Sequence, residues 1–376
     1  MADPVRILAW PAFKAKLSPY NALLYGQMQK LGATVDEFTA GRVLSTRYDI
    51  VHLHWPEYCV NGRGPLASLF WSCALFAAMC WIRILGGKVV WTVHNLKSHI
   101  QQYPRAEQHF WRVFTGLLNG YVCLTETGRA QALQCHPALR KLPGFVIPHG
   151  NIRDAYPEGD ISREQARSRL GITSTAKVLA FFGSIQAYKG VSELVDNFSV
   201  VQDERAVLLV AGKCTLSREE RTRIEDIAAR NPRLLLHLEY VPQAQVTTFI
   251  RASDLIVLPF REILNSGSAV LALSLDRPVL MPDRESMREL EALAGAEWVR
   301  LYSGELTSST LQRELDAAIE GKLARGRCNA FEAGWEGLSW RDLARLTLDA
   351  YSSIRDCGQH QRHALNKPED ASIVRK

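Results

Sequence analysis

Short runs of valine, isoleucine and leucine alternate along this chain with longer segments whose apolar residues recur at helical spacing. VRILAW, DIVHLHW, KVVWTVHN, GYVCLT and GFVIPHG occupy the first half; KVLAFFGS, AVLLVAGK, LLLHLEYV, DLIVLPF and RPVLMPD occupy the second. Apolar strands separated by amphipathic helices mark parallel sheets covered on both faces. Each set of five therefore predicts one doubly wound α/β domain. The stretch between them, DAYPEGDISREQARSRLGI, is polar and turn-rich, and sets a boundary near residue 160. The expected layout is a first domain over 1–160 and a second over 161–335. A capped helix over 336–356 packs back on the first domain, and a polar tail over 357–376 has too little apolar surface to order.

Composition adds limits. Hydrophobic residues make up 47% and charged residues 22% of 376 positions, a globular balance on a chain too long for one simple core. The net charge of +6 is compatible with phosphate ligands or an anionic membrane surface. No basic run interleaved with aromatics and no zinc-finger spacing occurs, which argues against a nucleic-acid partner. The eight cysteines contain no CxxC pair and read as reduced core residues of a cytosolic protein. The opening MADPVRILAW lacks the three-part pattern of a secretory signal.

Residues 66–82, LASLFWSCALFAAMCWI, carry no charge. Three readings are open: a minimal membrane span, a buried core helix, or a helix dipping into one leaflet. The strand-like runs on either side argue against the span, because crossing would put neighbours of one sheet on opposite sides of a bilayer.

In doubly wound sheets, ligands sit at the carboxyl ends of strands. Those ends are chemically loaded here. FFGSIQAYKG places Gly183 and Ser184 in a turn, then Tyr188 and Lys189; the glycine lets backbone approach a ligand, and the lysine can neutralise a diphosphate. An ordinary strand–turn–helix with a solvated lysine reads equally well. After DLIVLPF comes Glu262, then Asn265, Ser266, Gly267 and Ser268 at the start of an apolar helical run. Free N–H groups and hydroxyls there suit phosphate or ribose oxygens; N-capping explains only one of the four. In HLHWPEY, alternation puts His52 and His54 on one strand face, with Trp55 and Glu57 beyond. His52 reads as a satisfied core histidine. Glu57 is either a general base or an ordinary loop glutamate. His94, Asn95 and His99, with His149 and Arg153, can line the same cleft, and no spacing points to a metal.

These motifs together resemble GT-B glycosyltransferases, built of two Rossmann-like doubly wound domains facing across a cleft. YDIVHLHWPEY, TVHNLKSH, FFGSIQAYKGV and LPFREILNSGSAVLALSLDRPVLMP are similar, in order and spacing, to the xanthan-type β-mannosyltransferase family. The resemblance implies an inverting transfer of mannose from GDP-mannose to a polyprenyl-diphosphate-linked oligosaccharide, in bacterial exopolysaccharide synthesis. It implies no cofactor and no metal, and a cytoplasmic enzyme held peripherally on the inner face of the cytoplasmic membrane through residues 66–82. Two departures from the broad retaining pattern matter. Ser184 stands where an arginine is usual, and the places of the ribose-binding glutamates hold Ile263 and Leu271. The resemblance thus hands the nucleotide contacts to Asn265, Ser266, Gly267 and Ser268, with Val241 and Pro242 beside the nucleobase and the acceptor near Tyr20 and Asn21. Glu57 is the first choice of base, with His94 and His99 behind it. A UDP-sugar donor on the same fold, or a non-catalytic nucleotide-sugar-binding scaffold, are the alternatives.

Overall fold

The computed structural model describes residues 4–14, 19–61, 64–98, 101–156, 161–261, 263–320, 322–328 and 339–365. Its described residues fall into two compact units. The first holds residues 4–14, 24–148 and 341–365; the second holds 19–23 and 149–340. The division thus falls at Pro148/His149, ahead of the polar linker that sequence pattern favoured.

The first unit is a six-stranded parallel sheet of β1 (Arg6–Trp10), β2 (Thr34–Glu37), β3 (Ile50–Leu53), β4 (Lys88–Val93), β5 (Gly120–Cys123) and β6 (Gly144–Val146). Their order is β2-β1-β3-β4-β5-β6, so the winding reverses between β1 and β3. The central strands are buried on both faces, as their unbroken apolar runs require. The helix Trp340–Leu365 belongs to this unit from Arg341 onward: Tyr351 is fully buried, Arg355 pairs with Asp49 at 3.3 Å, and Ile354 lies over Gly120. This helix extends past Cys357 to Leu365. Residues 366–376 lie outside the described residues.

The helix Pro65–Ile84 contains segment 66–82, and it is not a buried core helix. Its inward face carries Ser68, Ser72, Leu75, Met79 and Ile82. Leu66, Leu69, Phe70, Trp71, Trp81 and Ile84 face outward, each at least 40% exposed. Arg83 is turned back onto the Leu117 carbonyl at 2.6 Å. A soluble helix normally arranges these residues the other way round.

The second unit is a parallel sheet of β7 (Lys177–Phe182), β8 (Ala206–Ala211), β9 (Leu234–His237), β10 (Leu255–Val257), β11 (Val279–Pro282) and β12 (Val299–Tyr302). Its order, β12-β11-β10-β7-β8-β9, is the dinucleotide-fold arrangement, with the switch point between β7 and β10. Buried guanidinium–carboxylate pairs fasten it: Arg167 to Asp254 at 2.8 Å, and Arg251 to Asp276 at 3.1 Å. The cysteines are mixed in burial: Cys59, Cys123 and Cys328 are buried, whereas Cys73, Cys80, Cys135 and Cys357 are exposed. The core reading therefore holds for only some of them.

Candidate functional site

At the switch point of the second unit, three glycines with positive φ let backbone and side chains converge. Gly183 (φ +137°) ends β7, and a Cβ there would lie 3.0 Å from Ser268 Oγ and 3.6 Å from Lys189 Nζ. Gly212 (φ +144°) ends β8, and a Cβ there would strike the Gly183 carbonyl at 1.9 Å. Gly190 (φ +68°) lets the loop after β7 close on the Pro259 carbonyl after β10. Arg261 N donates to the Tyr188 carbonyl at 3.0 Å and ties the same two loops. The result is a small hollow over Gly183, bounded by a hydroxyl and an ammonium.

Lys189 is half-buried, above the Phe260 ring at 5.2 Å and the Tyr188 ring at 5.9 Å. No carboxylate among the described residues pairs with it, and burial lowers its pKa to about 8. An anionic ligand is the natural complement of such a group. The helix Gly267–Ser274 begins beside it. Ser266 caps that helix by accepting from Ala269 N at 3.0 Å, so the capping reading is right for this residue. The first intrahelical bond is Val270 N to the Ser266 carbonyl, which leaves the Gly267 and Ser268 amides to face outward at the positive end of the helix. Leu271 is buried within the helix and so cannot reach a ribose. Ser184 Oγ accepts from Gln186 at 3.2 Å, Val241 is buried between the exposed Tyr240 and Pro242 after β9, and Asn265 is partnered within the fold. Glu262 lies outside the described residues.

The first unit builds its own cluster at the β1/β3 switch point. The 3₁₀ turn Pro56–Cys59 follows β3 and buries Glu57, which is 5% exposed. Asn95, after β4, donates to Glu57 Oε1 at 2.9 Å. Burial outweighs that bond and raises the Glu57 pKa to about 7, the range a general base needs near neutrality. His94 stacks on Trp55 with ring centroids 4.3 Å apart, and its Nε2 lies 3.0 Å from His54 Nδ1. His54 is fully buried, and its Nε2 lies 2.6 Å from the Tyr25 hydroxyl. His52 is held by Thr92, Tyr25 and Tyr351, a core histidine as its pattern indicated.

Other candidates have different neighbours. His54 has both ring nitrogens engaged inside the fold, which removes it from direct acceptor contact. Tyr20 is buried against His149 and Trp340, at centroid distances of 4.9 and 5.5 Å, and Asn21 is fully buried. His149 Nδ1 bonds the Gly150 carbonyl at 2.8 Å, and burial lowers its pKa to about 4. Arg153 is turned into an ion pair with buried Asp276. These four belong to the second unit and serve its packing. His99 lies outside the described residues. Tyr25 escaped the sequence reading, because an aromatic residue in an apolar helix looks like plain core; only its phenol, brought against the His52/His54 strand face, reveals more.

The family model described as "Glycosyl transferases group 1" matches residues 176–298, the unit that carries the Gly183 hollow. The GDP-mannose:glycolipid 4-β-D-mannosyltransferase of Xanthomonas campestris pv. campestris is 32% identical over 304 residues, covering 80% of this chain and 80% of that protein. This chain belongs to the GDP-mannose:glycolipid mannosyltransferase family. Anabaena HepE in complex with UDP shares the fold at a TM-score of 0.67 and 16% identity, covering 93% of this chain and 100% of that one. The catalytic domain of Arabidopsis thaliana starch synthase IV, bound to ADP and acarbose, gives 0.65 at 12% identity, covering 94% and 99%. This member of the mannosyltransferase family is therefore a glycosyltransferase with two Rossmann-like units of the GT-B type.

Proposed function

We propose that this protein transfers mannose from GDP-mannose, with inversion, to a polyprenyl-diphosphate-linked oligosaccharide acceptor of exopolysaccharide synthesis. The observation that carries the reading is the convergence of Lys189 Nζ and Ser268 Oγ over Gly183 at the switch point of the second unit. There the donor diphosphate meets an ammonium, a hydroxyl and a helix start, which together take up the charge of the leaving group without a metal. Inversion is a single displacement. The acceptor hydroxyl gives its proton to the Glu57 carboxylate, its oxygen bonds the sugar C1, and the bond from C1 to the diphosphate oxygen breaks with its electron pair, releasing GDP. A Glu57 pKa of about 7 supports this role, since an ordinary carboxylate is a weaker base.

A lipid-linked acceptor explains the outward face of Pro65–Ile84. Six exposed side chains, each gaining about 1 kcal/mol on entering a leaflet, give on the order of 6 kcal/mol, enough for peripheral binding. The protein works in this reading on the cytoplasmic face of the membrane, with the apolar helix following closely on the Glu57 turn.

The test is a donor panel of GDP-mannose, UDP-glucose and UDP-glucuronate with a lipid-linked saccharide extract, read by mass spectrometry of the glycolipid. Growth of the acceptor by one hexose with GDP-mannose alone is expected. Turnover only with a UDP-sugar overturns the donor assignment, and nucleotide-sugar binding with no turnover on any acceptor overturns catalysis.

A further inference from the structure

Beside the hollow over Gly183, the ends of β8 and β9 carry three exposed side chains that no step of the transfer uses: Lys213, Glu239 and Tyr240. The sheet fixes their backbone. Ile185 N donates to the Lys213 carbonyl at 2.9 Å from the β7 side, while Gly212 N and Cys214 N donate to the His237 and Leu238 carbonyls at 2.9 and 3.1 Å on the β9 side. Lys213 is therefore held between the ends of β7 and β9, and Glu239 follows directly on Leu238. Neither charge is spent on an ion pair among the described residues; Arg221 feels Glu239 only at longer range, because its guanidinium is bound to Glu225 at 2.9 Å.

A diphosphate over Gly183 has β10 and the start of the helix Gly267–Ser274 on one side, so its nucleoside leads away over β8 and β9. Two strand spacings, about 10 Å, separate the ends of β7 and β9, a span that a ribose and a base together bridge. The base then meets Lys213 and the Glu239–Tyr240 turn. Bases differ in the edge they present there. Guanine carries an acceptor, O6, beside two donors, N1–H and the N2 amino group; adenine offers a donor followed by an acceptor, and uracil holds one donor between two acceptors. A lysine only donates and a carboxylate only accepts. Lys213 followed by Glu239 therefore matches guanine along its whole edge, whereas adenine opposes both groups and uracil sets its second carbonyl against the carboxylate.

We propose that Lys213 and Glu239 select a guanine nucleotide, Lys213 donating to O6 and Glu239 accepting from N1–H and the N2 amino group, while the base stacks on the Tyr240 ring, which is 54% exposed. The inference rests on the reading of the second unit as the site of a GDP-sugar. It separates two tasks: Lys189 and Ser268 serve any nucleoside diphosphate, and the residues at the ends of β8 and β9 choose among them.

Calorimetry on the full-length protein with GDP, inosine diphosphate, ADP and UDP, without acceptor, tests the assignment; inosine diphosphate is GDP without the N2 amino group. Wild type should bind GDP about tenfold more tightly than inosine diphosphate, and about ten- to a hundredfold more tightly than UDP or ADP. In Glu239→Ala, GDP and inosine diphosphate should become equal, because the group that tells them apart is gone; a surviving preference for GDP overturns the role of Glu239. Lys213→Met should weaken GDP and inosine diphosphate by the same factor of about ten and spare ADP, which lacks O6. An equal loss for ADP makes Lys213 a phosphate ligand and overturns its role. Tyr240→Ala should weaken GDP and ADP alike by about tenfold or more, and unchanged binding overturns the stacking. All three side chains are exposed, so the variants should keep the wild-type thermal midpoint. Wild-type protein that binds UDP as tightly as GDP overturns the donor reading and this inference with it. A wild-type preference for GDP that Glu239→Ala and Lys213→Met both retain overturns the inference alone.

Discussion

Replacing Glu57 by glutamine separates chemistry from stability in opposite directions. The carboxyl is 5% exposed, and burial raises its pKa from 4.5 to about 7 despite the hydrogen bond from Asn95. A group whose folded pKa lies above its unfolded value favours folding while protonated, and that advantage is lost as pH rises from the unfolded pKa through the folded one. A shift of about 2.5 units at about 1.36 kcal/mol each gives a cost of roughly 3 kcal/mol, fully developed above pH 7 and small below pH 5. Glutamine keeps an oxygen for Asn95 and cannot ionise. Glu57→Gln should therefore be about 3 kcal/mol more stable than wild type at pH 8 and nearly equal to it at pH 5, while its transfer rate falls by about 10² to 10⁴. Urea denaturation followed by tryptophan fluorescence at the two pH values measures the first quantity, and acceptor turnover the second. A stability difference that does not change with pH refutes the raised pKa. Full turnover by the glutamine variant refutes the base.

Lys189→Ala should weaken donor binding by about 1.5–3 kcal/mol, or roughly ten- to a hundredfold, measured by calorimetry with GDP-mannose. In the wild-type protein the same lysine, with its pKa lowered to about 8, should make donor affinity fall as pH rises through that value; affinity flat from pH 7 to 9.5 excludes it from the diphosphate. Gly212→Ala drives a methyl group into the Gly183 carbonyl and should prevent accumulation of folded protein, whereas Gly267→Ala, which meets nothing within 4 Å, should leave thermal stability within about 1 kcal/mol of wild type. Changing Leu69, Phe70 and Trp71 together to serine should abolish co-flotation with anionic vesicles and raise the soluble yield; unchanged flotation assigns membrane contact elsewhere.

The apolar runs made ten of the twelve described strands legible, because the central strands are buried on both faces and need unbroken apolar sequence. The two they missed, β2 and β12, are four-residue strands that each form one edge of their sheet. Each is partly exposed and carries charged residues, so TVDE and VRLY form no such run. The helix Pro65–Ile84 shows a different gap. Its composition was plain, but which side faced the sheet was not, since the inward stripe of Ser68 and Ser72 is less apolar than the outward one.

Candidate side chains divide along the same line. Gly183, Lys189 and Ser268 follow strand ends within short stretches, so local chemistry exposed them, and the fold had only to bring β7 beside β10. Tyr20, His149 and Arg153 also looked chemically loaded, yet each is consumed by a partner distant in sequence: His149 meets Tyr20 and Trp340, and Arg153 meets Asp276. Tyr351 stands 299 positions from His52, with nothing local to mark it. A polar residue after an apolar strand therefore announces a place in the site, while the partner it meets decides whether it reaches a ligand. In Ser266 and Ser268 the two outcomes sit two residues apart: the first hydroxyl is spent on Ala269 N, and the second turns to the hollow over Gly183. In the proposed donor role the helix start needs both, since the capped turn holds rigid the amides and hydroxyl that would otherwise have to be ordered on binding.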